Sequence, residues 1–187
     1  QVGDVLLAED GEKLEGLFKL LETETARRKR LFAACGGDYA AWCAGGGEPL
    51  PQILVVLRNY TAFYEQFEHL DERLVRLSRE CAKYGVYFLM TANAPGAVRY
   101  RMAQNFANVY ALRLNDTADY LGLFGSTGGV YPGRQSGSGI CRINGRILGF
   151  QAARFAREET AAGLRAMAAG LAEKTPLRVP PVPTLPQ

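Results

Sequence analysis

The sequence predicts an α/β fold, a mostly parallel sheet flanked by helices with an antiparallel hairpin at one edge. Three observations predict it. Two short apolar runs, Ile53 to Leu57 and Val86 to Thr91, are separated by a stretch with helical spacing of its leucines. A third run, Val109 to Leu114, follows another turn and a short helical stretch. Near the end, Asn144-Gly145 stands between two strand-like segments, the residue pair that a two-residue hairpin turn requires.

Taken in order, Val2 to Leu7 reads as a short strand, and Asp10 is placed to cap the helix that follows. In that helix Leu14, Leu17, Phe18 and Leu21 share one face. The basic run Arg27 to Arg30 falls in its later turns, where positive charge suits the helix dipole, and reads as a solvated helix end. Gly36-Gly37-Asp38 ends the helix, Tyr39 to Trp42 form a further turn, and residues 45–49 form a flexible loop. Ile53 to Leu57 then reads as an interior strand buried on both faces.

From Asn59 to about Tyr84 the chain is helical, with a break near His69-Leu70-Asp71 and an inward stripe of Leu70, Leu74, Leu77 and Cys81. Gly85 stops it ahead of the strand Val86 to Thr91. Ala94-Pro95-Gly96 is a turn, Val98 to Phe106 a short helix and Val109 to Leu114 the third strand. Asn115-Asp116 caps a helix from Thr117 to Phe124. A glycine-rich loop, 125–139, leads into the hairpin strands Ile140 to Ile143 and Arg146 to Ala152. An alanine-rich helix, Ala156 to Ala172, precedes a proline-spaced linker or tail, 175–187.

Composition narrows the function classes. Hydrophobic residues at 48% and charged residues at 22% suit a folded domain of 187 residues rather than a disordered chain. A net charge of +3 is too small a surplus to predict nucleic-acid binding. No apolar run reaches the roughly 20 residues of a membrane-spanning helix. The four cysteines, Cys35, Cys43, Cys81 and Cys141, form no CxxC pair and have one histidine, His69, to join them, which argues against zinc. They read as reduced thiols of a cytosolic protein. The chain starts at Gln1 without a methionine, as a piece of a longer protein does.

The residues just past the strand at 53–57 are the first candidates for a site, because open α/β sheets place ligands at the carboxyl ends of their strands. A nucleotide-hydrolysing motor carries an acidic pair there, one carboxylate for Mg²⁺ and one to orient water. Here the residues are Arg58 and Asn59. At the end of the next strand, Thr91 and Asn93 occupy a place where a polar group senses a γ-phosphate or caps the following turn; without a phosphate-binding loop, capping is the better reading. The loop Gly133-Arg134-Gln135-Ser136-Gly137-Ser138-Gly139 lacks the lysine of a P-loop and leads into a strand, not a helix. A serine or cysteine triad would have to use His69, which lies far from Ser126, Ser136 and Ser138 in sequence. No catalytic residue is singled out.

In combination these segments resemble a known family. Leu50-Pro51 before the apolar strand, the run 84–92, Asn105-Phe106 with residues 111–116, Asp119-Tyr120 and Phe150-Gln151-Ala152 are similar to FtsK/SpoIIIE ATPase domains. The likeness is strongest to the tandem domains of EssC/EccC-type coupling ATPases of type VII secretion, and it covers about 2–153. It implies a RecA-like, P-loop NTPase-like fold that lacks the P-loop segment, which in that family lies upstream of Val2. The implied organisation is a degenerate ATPase domain at 1–155, a helix at 156–174 and a linker at 175–187.

The chain departs from the family's pattern at Arg58, where active members carry the Walker B aspartate, and at Asn93, where DNA-pumping members carry glutamine. It departs again at Ser138, where many relatives show arginine in a Gly-Arg-Gly turn. The resemblance implies a non-hydrolysing domain that does not itself bind the family's ATP and Mg²⁺, acting in assembly, regulation or substrate recognition. Implied partners are neighbouring ATPase domains, other copies of the chain and secreted proteins, at the cytoplasmic face of a membrane that this chain does not enter. An ATP-hydrolysing DNA translocase and a Rossmann-like small-molecule enzyme are the alternatives.

Overall fold

The computed structural model describes residues 3–48, 50–153 and 160–174. These fall into two compact units, one up to Ala107 and one from Asn108. In the first unit the order is α1 (Gly11–Phe32), α2 (Tyr39–Ala44), β1 (Ile53–Leu57), α3 (Tyr60–Gln66), α4 (Glu68–Glu80), β2 (Val86–Met90) and α5 (Tyr100–Ala103). The second unit holds β3 (Val109–Leu112), α6 (Thr117–Phe124), β4 (Ser138–Ile143), β5 (Arg146–Gln151) and α7 (Thr160–Lys174). The α/β class, with a parallel pairing and an antiparallel hairpin, is as the sequence predicts.

In the first unit β1 and β2 run parallel, Ile53 opposite Val86 and Leu57 opposite Met90. Three helices cover one face of the pair. Phe18 and Leu21 of α1, Phe63 of α3, and Leu70, Leu74 and Leu77 of α4 are buried with Val86 and Met102, and Ile53, Val55 and Leu57 pack against them. Each such aliphatic or aromatic side chain contributes about 1.5–3 kcal/mol when fully buried.

The opposite face corrects an expectation. Leu54 and Val56 are 63% and 59% exposed, and Tyr87 and Leu89 opposite them are exposed as well. β1 is therefore covered on one face only, and its inward residues are half-buried. Alternate residues of a strand point to opposite faces, and an all-apolar run cannot tell a covered face from an open one.

Other expectations shift at the ends of elements. Residues 3–7 form no strand, and Val5 is 80% exposed. A strand needs a neighbour to take its backbone hydrogen bonds, and none pairs with this segment among the described residues. Asp10 does not cap α1 through its side chain; its Oδ2 accepts from Leu7 N–H at 2.9 Å and closes the preceding turn. The helical break falls at Phe67, not at 69–71, and the short helix expected from Val98 to Phe106 is a single turn, α5. Gly11–Phe32 is followed by a 3-10 turn that ends at Gly36, whose φ is +93°.

The second unit is built on a three-stranded antiparallel sheet in the order β3-β4-β5. The third strand thus hydrogen-bonds to β4, and does so antiparallel. Asn144 and Gly145 turn the β4–β5 hairpin with φ of +50° and +75°. Ala111, Tyr120, Phe124 and Ile140 form its core. Asp116 caps α6 by accepting from Ala118 N–H at 2.8 Å, as expected. The expected start of the last helix near Ala156 and the tail 175–187 lie outside the described residues. No helix among the described residues is long and apolar enough to cross a membrane.

Candidate functional site

The carboxyl ends of β1 and β2 are joined through Thr91. Its N–H donates to Leu57 O at 3.0 Å, its carbonyl accepts from Tyr60 N–H at 2.9 Å, and its Oγ1 accepts from Asn59 N–H at 3.0 Å. Thr91 therefore ties the two strand ends together and supplies the backbone partner that opens α3. Asn59 sits at the crossing point with φ +61° and ψ +78°, a left-handed conformation that asparagine tolerates better than most residues. Its Oδ1 is buried and has no hydrogen-bond partner, an orphaned acceptor among the described residues. An unsatisfied buried acceptor costs about 1–3 kcal/mol.

Arg58 precedes Asn59 and is exposed, with no ion pair among the described residues. Asn93, two residues beyond Thr91, is exposed in a bend. The structure therefore brings Asn59 and Thr91 into direct contact, with Arg58 and Asn93 flanking them in sequence. This donor set does not fit Mg²⁺. A guanidinium has only N–H donors and cannot ligate a cation, and Asn59 Oδ1 is a single neutral oxygen where Mg²⁺ calls for carboxylates and phosphates. Among the described residues no group of three or more His, Cys, Asp or Glu could hold a metal ion.

The strand ends are braced from below by a network that the sequence did not suggest. Tyr60, buried at the start of α3, donates from its hydroxyl to Asp71 Oδ1 at 2.7 Å. Arg99, beyond the β2 end, donates to Asp71 Oδ2 at 2.9 Å. Asp71 is itself buried on α4. Burial and the Asp71 carboxylate push the Tyr60 phenol far above the usual tyrosine range, so it stays a hydrogen-bond donor. One buried carboxylate thus binds the segments leaving both strands. The only advance signal was an acid inside an apolar stripe, Leu70-Asp71 with Leu74 and Leu77.

The glycine-rich loop belongs to the second unit and forms a packed strap. Ser138 Oγ accepts from Gly133 N–H at 2.8 Å, and Gln151 Nε2 donates to Ser136 O at 2.8 Å. A cavity of 370 Å³ beside it is lined by Leu112, Arg113 and residues 134–137; another, of 210 Å³, lies between α4 and Arg99. Neither is lined by Arg58, Asn59, Thr91 or Asn93, and neither is the apolar pocket that a Rossmann-like enzyme would place at its strand ends. His69 is exposed, 3.0 Å from Glu15.

No family model matches the chain. Among curated proteins, the ESX secretion system protein YukB of Bacillus subtilis (strain 168) is 28% identical over 123 residues, 65% of this chain and 8% of that protein. Among solved structures, EssC (ATPases 2 and 3) from Geobacillus thermodenitrificans superposes with a TM-score of 0.76 at 21% identity, over 88% of this chain and 32% of that one. In fold the chain is similar to EssC ATPase domains. A further EssC/EccC-like structure, Thermomonospora curvata EccC (ATPases 2 and 3) in complex with a signal sequence peptide, aligns with a TM-score of 0.72 at 16% identity, over 96% of this chain and 34% of that one. The RecA-like, P-loop ATPase fold that the sequence resemblance implied is the fold of these neighbours. The chain spans under a tenth of the curated relative's length.

Proposed function

We propose that this chain is a degenerate, non-hydrolysing ATPase domain of a type VII secretion coupling ATPase, acting in assembly, regulation or substrate recognition. The observation that carries the reading is Arg58, a cation at the end of β1 where a working motor needs a carboxylate for Mg²⁺. The guanidinium would repel a metal ion and leave the strand-end site to serve as a fixed scaffold, held by Thr91 and Asn59. In this reading 1–155 form the ATPase-like domain, 156–174 a helix and 175–187 the linker to a neighbour. Its partners are adjacent ATPase domains, further copies of the chain and secreted substrates, at the cytoplasmic face of a membrane. The two-ATPase EssC structure and the peptide-bound EccC structure support the reading of adjacent ATPase domains and secreted substrates as partners.

Thermal unfolding with and without Mg-ATP tests the proposal. A nucleotide at about a hundred times its Kd stabilises a protein by about 2.7 kcal/mol, which in a domain of this size raises Tm by on the order of 5 °C. The expected result is no shift, together with unchanged ATP turnover by the full-length protein when Arg58→Ala is introduced. A clear Mg-ATP shift, or turnover lost on that substitution, sinks the reading.

A further inference from the structure

The cavity between α4 and the segment 99–101 is not lined by Arg58, Asn59, Thr91 or Asn93, but shares Asp71 and Arg99 with the brace beneath the strand ends. Its floor is one face of α4: Asp71, Glu72, Arg76 and Arg79 recur at helical spacing along it. Its opposite wall carries Arg99 and Arg101, so four arginines face two carboxylates around 210 Å³. Of the two on the wall, Arg99 is anchored. Arg99 is fixed by Asp71 and lies over the Tyr64 ring, 5.0 Å from its centroid. Behind it Met102 is buried, and Asn105 Nδ2 donates to Val75 O at 2.8 Å and to Ser78 Oγ at 2.9 Å.

Much of this donor capacity is unused among the described residues. Arg101 makes no ion pair among the described residues, and Arg79 reaches only its sequence neighbour Glu80, at 3.5 Å. Arg76 pairs with Glu22 through one nitrogen, and Arg99 with Asp71 through one. Each guanidinium has five N–H donors in a planar fork that matches a carboxylate two at a time. The fold therefore holds several cationic forks around one concavity with fewer anions than it can take.

We propose that this cleft is a docking site for acidic side chains of a protein partner. Its size decides against a nucleotide: 210 Å³ is below the roughly 300–1,000 Å³ of small-molecule sites, and admits one or two carboxylate side chains. Its charge pattern decides against a nucleic acid, because Glu72 and Glu80 interrupt the arginines where a phosphate backbone would need an unbroken basic stripe. Arg58, Asn59, Thr91 and Asn93 do not line the cleft. Docking there has a mechanical consequence, since an acidic group seated on Arg99 shares the guanidinium that also holds Asp71 and, through it, Tyr60.

A fluorescein-labelled hexaglutamate peptide, followed by fluorescence anisotropy, tests the site on the whole chain. Binding should weaken by about tenfold or more in the double variant Arg79→Glu/Arg101→Glu, and should weaken as salt rises because the ion pairs are exposed. The variant Lys29→Glu/Arg30→Glu changes net charge equally on an exposed part of α1 away from the cleft and should leave affinity unchanged. Far-UV circular dichroism confirms that both variants fold; Arg79 and Arg101 are exposed and outside the core. Absent peptide binding, an equal loss in the two double variants, or tighter binding of a single-stranded oligothymidine lost with Arg79 and Arg101 would each overturn the proposal.

Discussion

Arg28 shows how much a single side chain can differ from its neighbours. Arg27, Lys29 and Arg30 are exposed, whereas Arg28 is 1% exposed. Its Nε donates to Glu24 at 2.6 Å, its Nη1 to Tyr84 O at 2.9 Å and its Nη2 to Pro51 O at 2.7 Å. The guanidinium thus staples α1 to the segments entering β1 and β2, and the expected solvated helix end is corrected at this residue. Gly85 makes room for it: with φ +74°, a Cβ there would lie 2.7 Å from Tyr39 Cδ2 and 3.1 Å from Arg28 Nη1. Arg28→Ala should cost about 2–5 kcal/mol, because the Tyr84 and Pro51 carbonyls lose their donor, while the partly exposed Glu24 keeps Arg27. Arg28→Lys should recover only part of that, since an ammonium cannot span three acceptors as the planar fork does. Urea denaturation midpoints of the two variants check both.

At the scale of elements, the β1–β2 pair is defined by its two unlike faces. Helices α1, α3 and α4 cover the Ile53–Val55–Leu57 side, while Leu54, Val56, Tyr87 and Leu89 face outward. Truncation on the two sides should therefore differ. Val56→Thr with Leu89→Thr, directly opposite each other in register, should change unfolding free energy by less than about 1 kcal/mol. Leu74→Ala on the buried face of α4 should cost about 2–5 kcal/mol. Chemical denaturation measures both, and equal losses would mean that the outer face is covered in solution. In the second unit, Gly139 plays the part of a spacer: a Cβ would lie 2.3 Å from Phe150 Cζ, so β4 admits only glycine under that ring.

For the whole molecule, acid is the condition to which stability should respond first. Hydrogen bonds from Arg27 and then Arg28 hold the Glu24 carboxyl below its ordinary value of 4.5, and Arg73 and Arg76 do the same for Glu22. A carboxyl with a lowered folded pKa stabilises the fold above its unfolded value, and that stabilisation is lost as pH falls through the folded value. Stability should thus be level above pH 4.5 in this respect and decline below it, with Glu24→Gln flattening the decline. Urea midpoints measured across that range for the parent and the variant provide the check.

Local chemistry was readable wherever a residue acts on its own neighbours. The spacing of Leu70, Leu74 and Leu77, the Asn144-Gly145 turn, the Asp116 cap and the non-acidic pair Arg58-Asn59 could all be read from the chain, and the order of the short motifs pointed to the fold. What the sequence could not carry was anything decided by residues distant in the chain. Whether β1 is covered on both sides, whether Val109–Leu112 pairs parallel or antiparallel, and whether residues 3–7 form a strand depend on which partner arrives. Arg28 and Asp71 look like ordinary surface charges until acceptors and donors from other segments surround them. A buried charge is tolerated only when its partners are in place, and those partners are assembled by the tertiary structure alone.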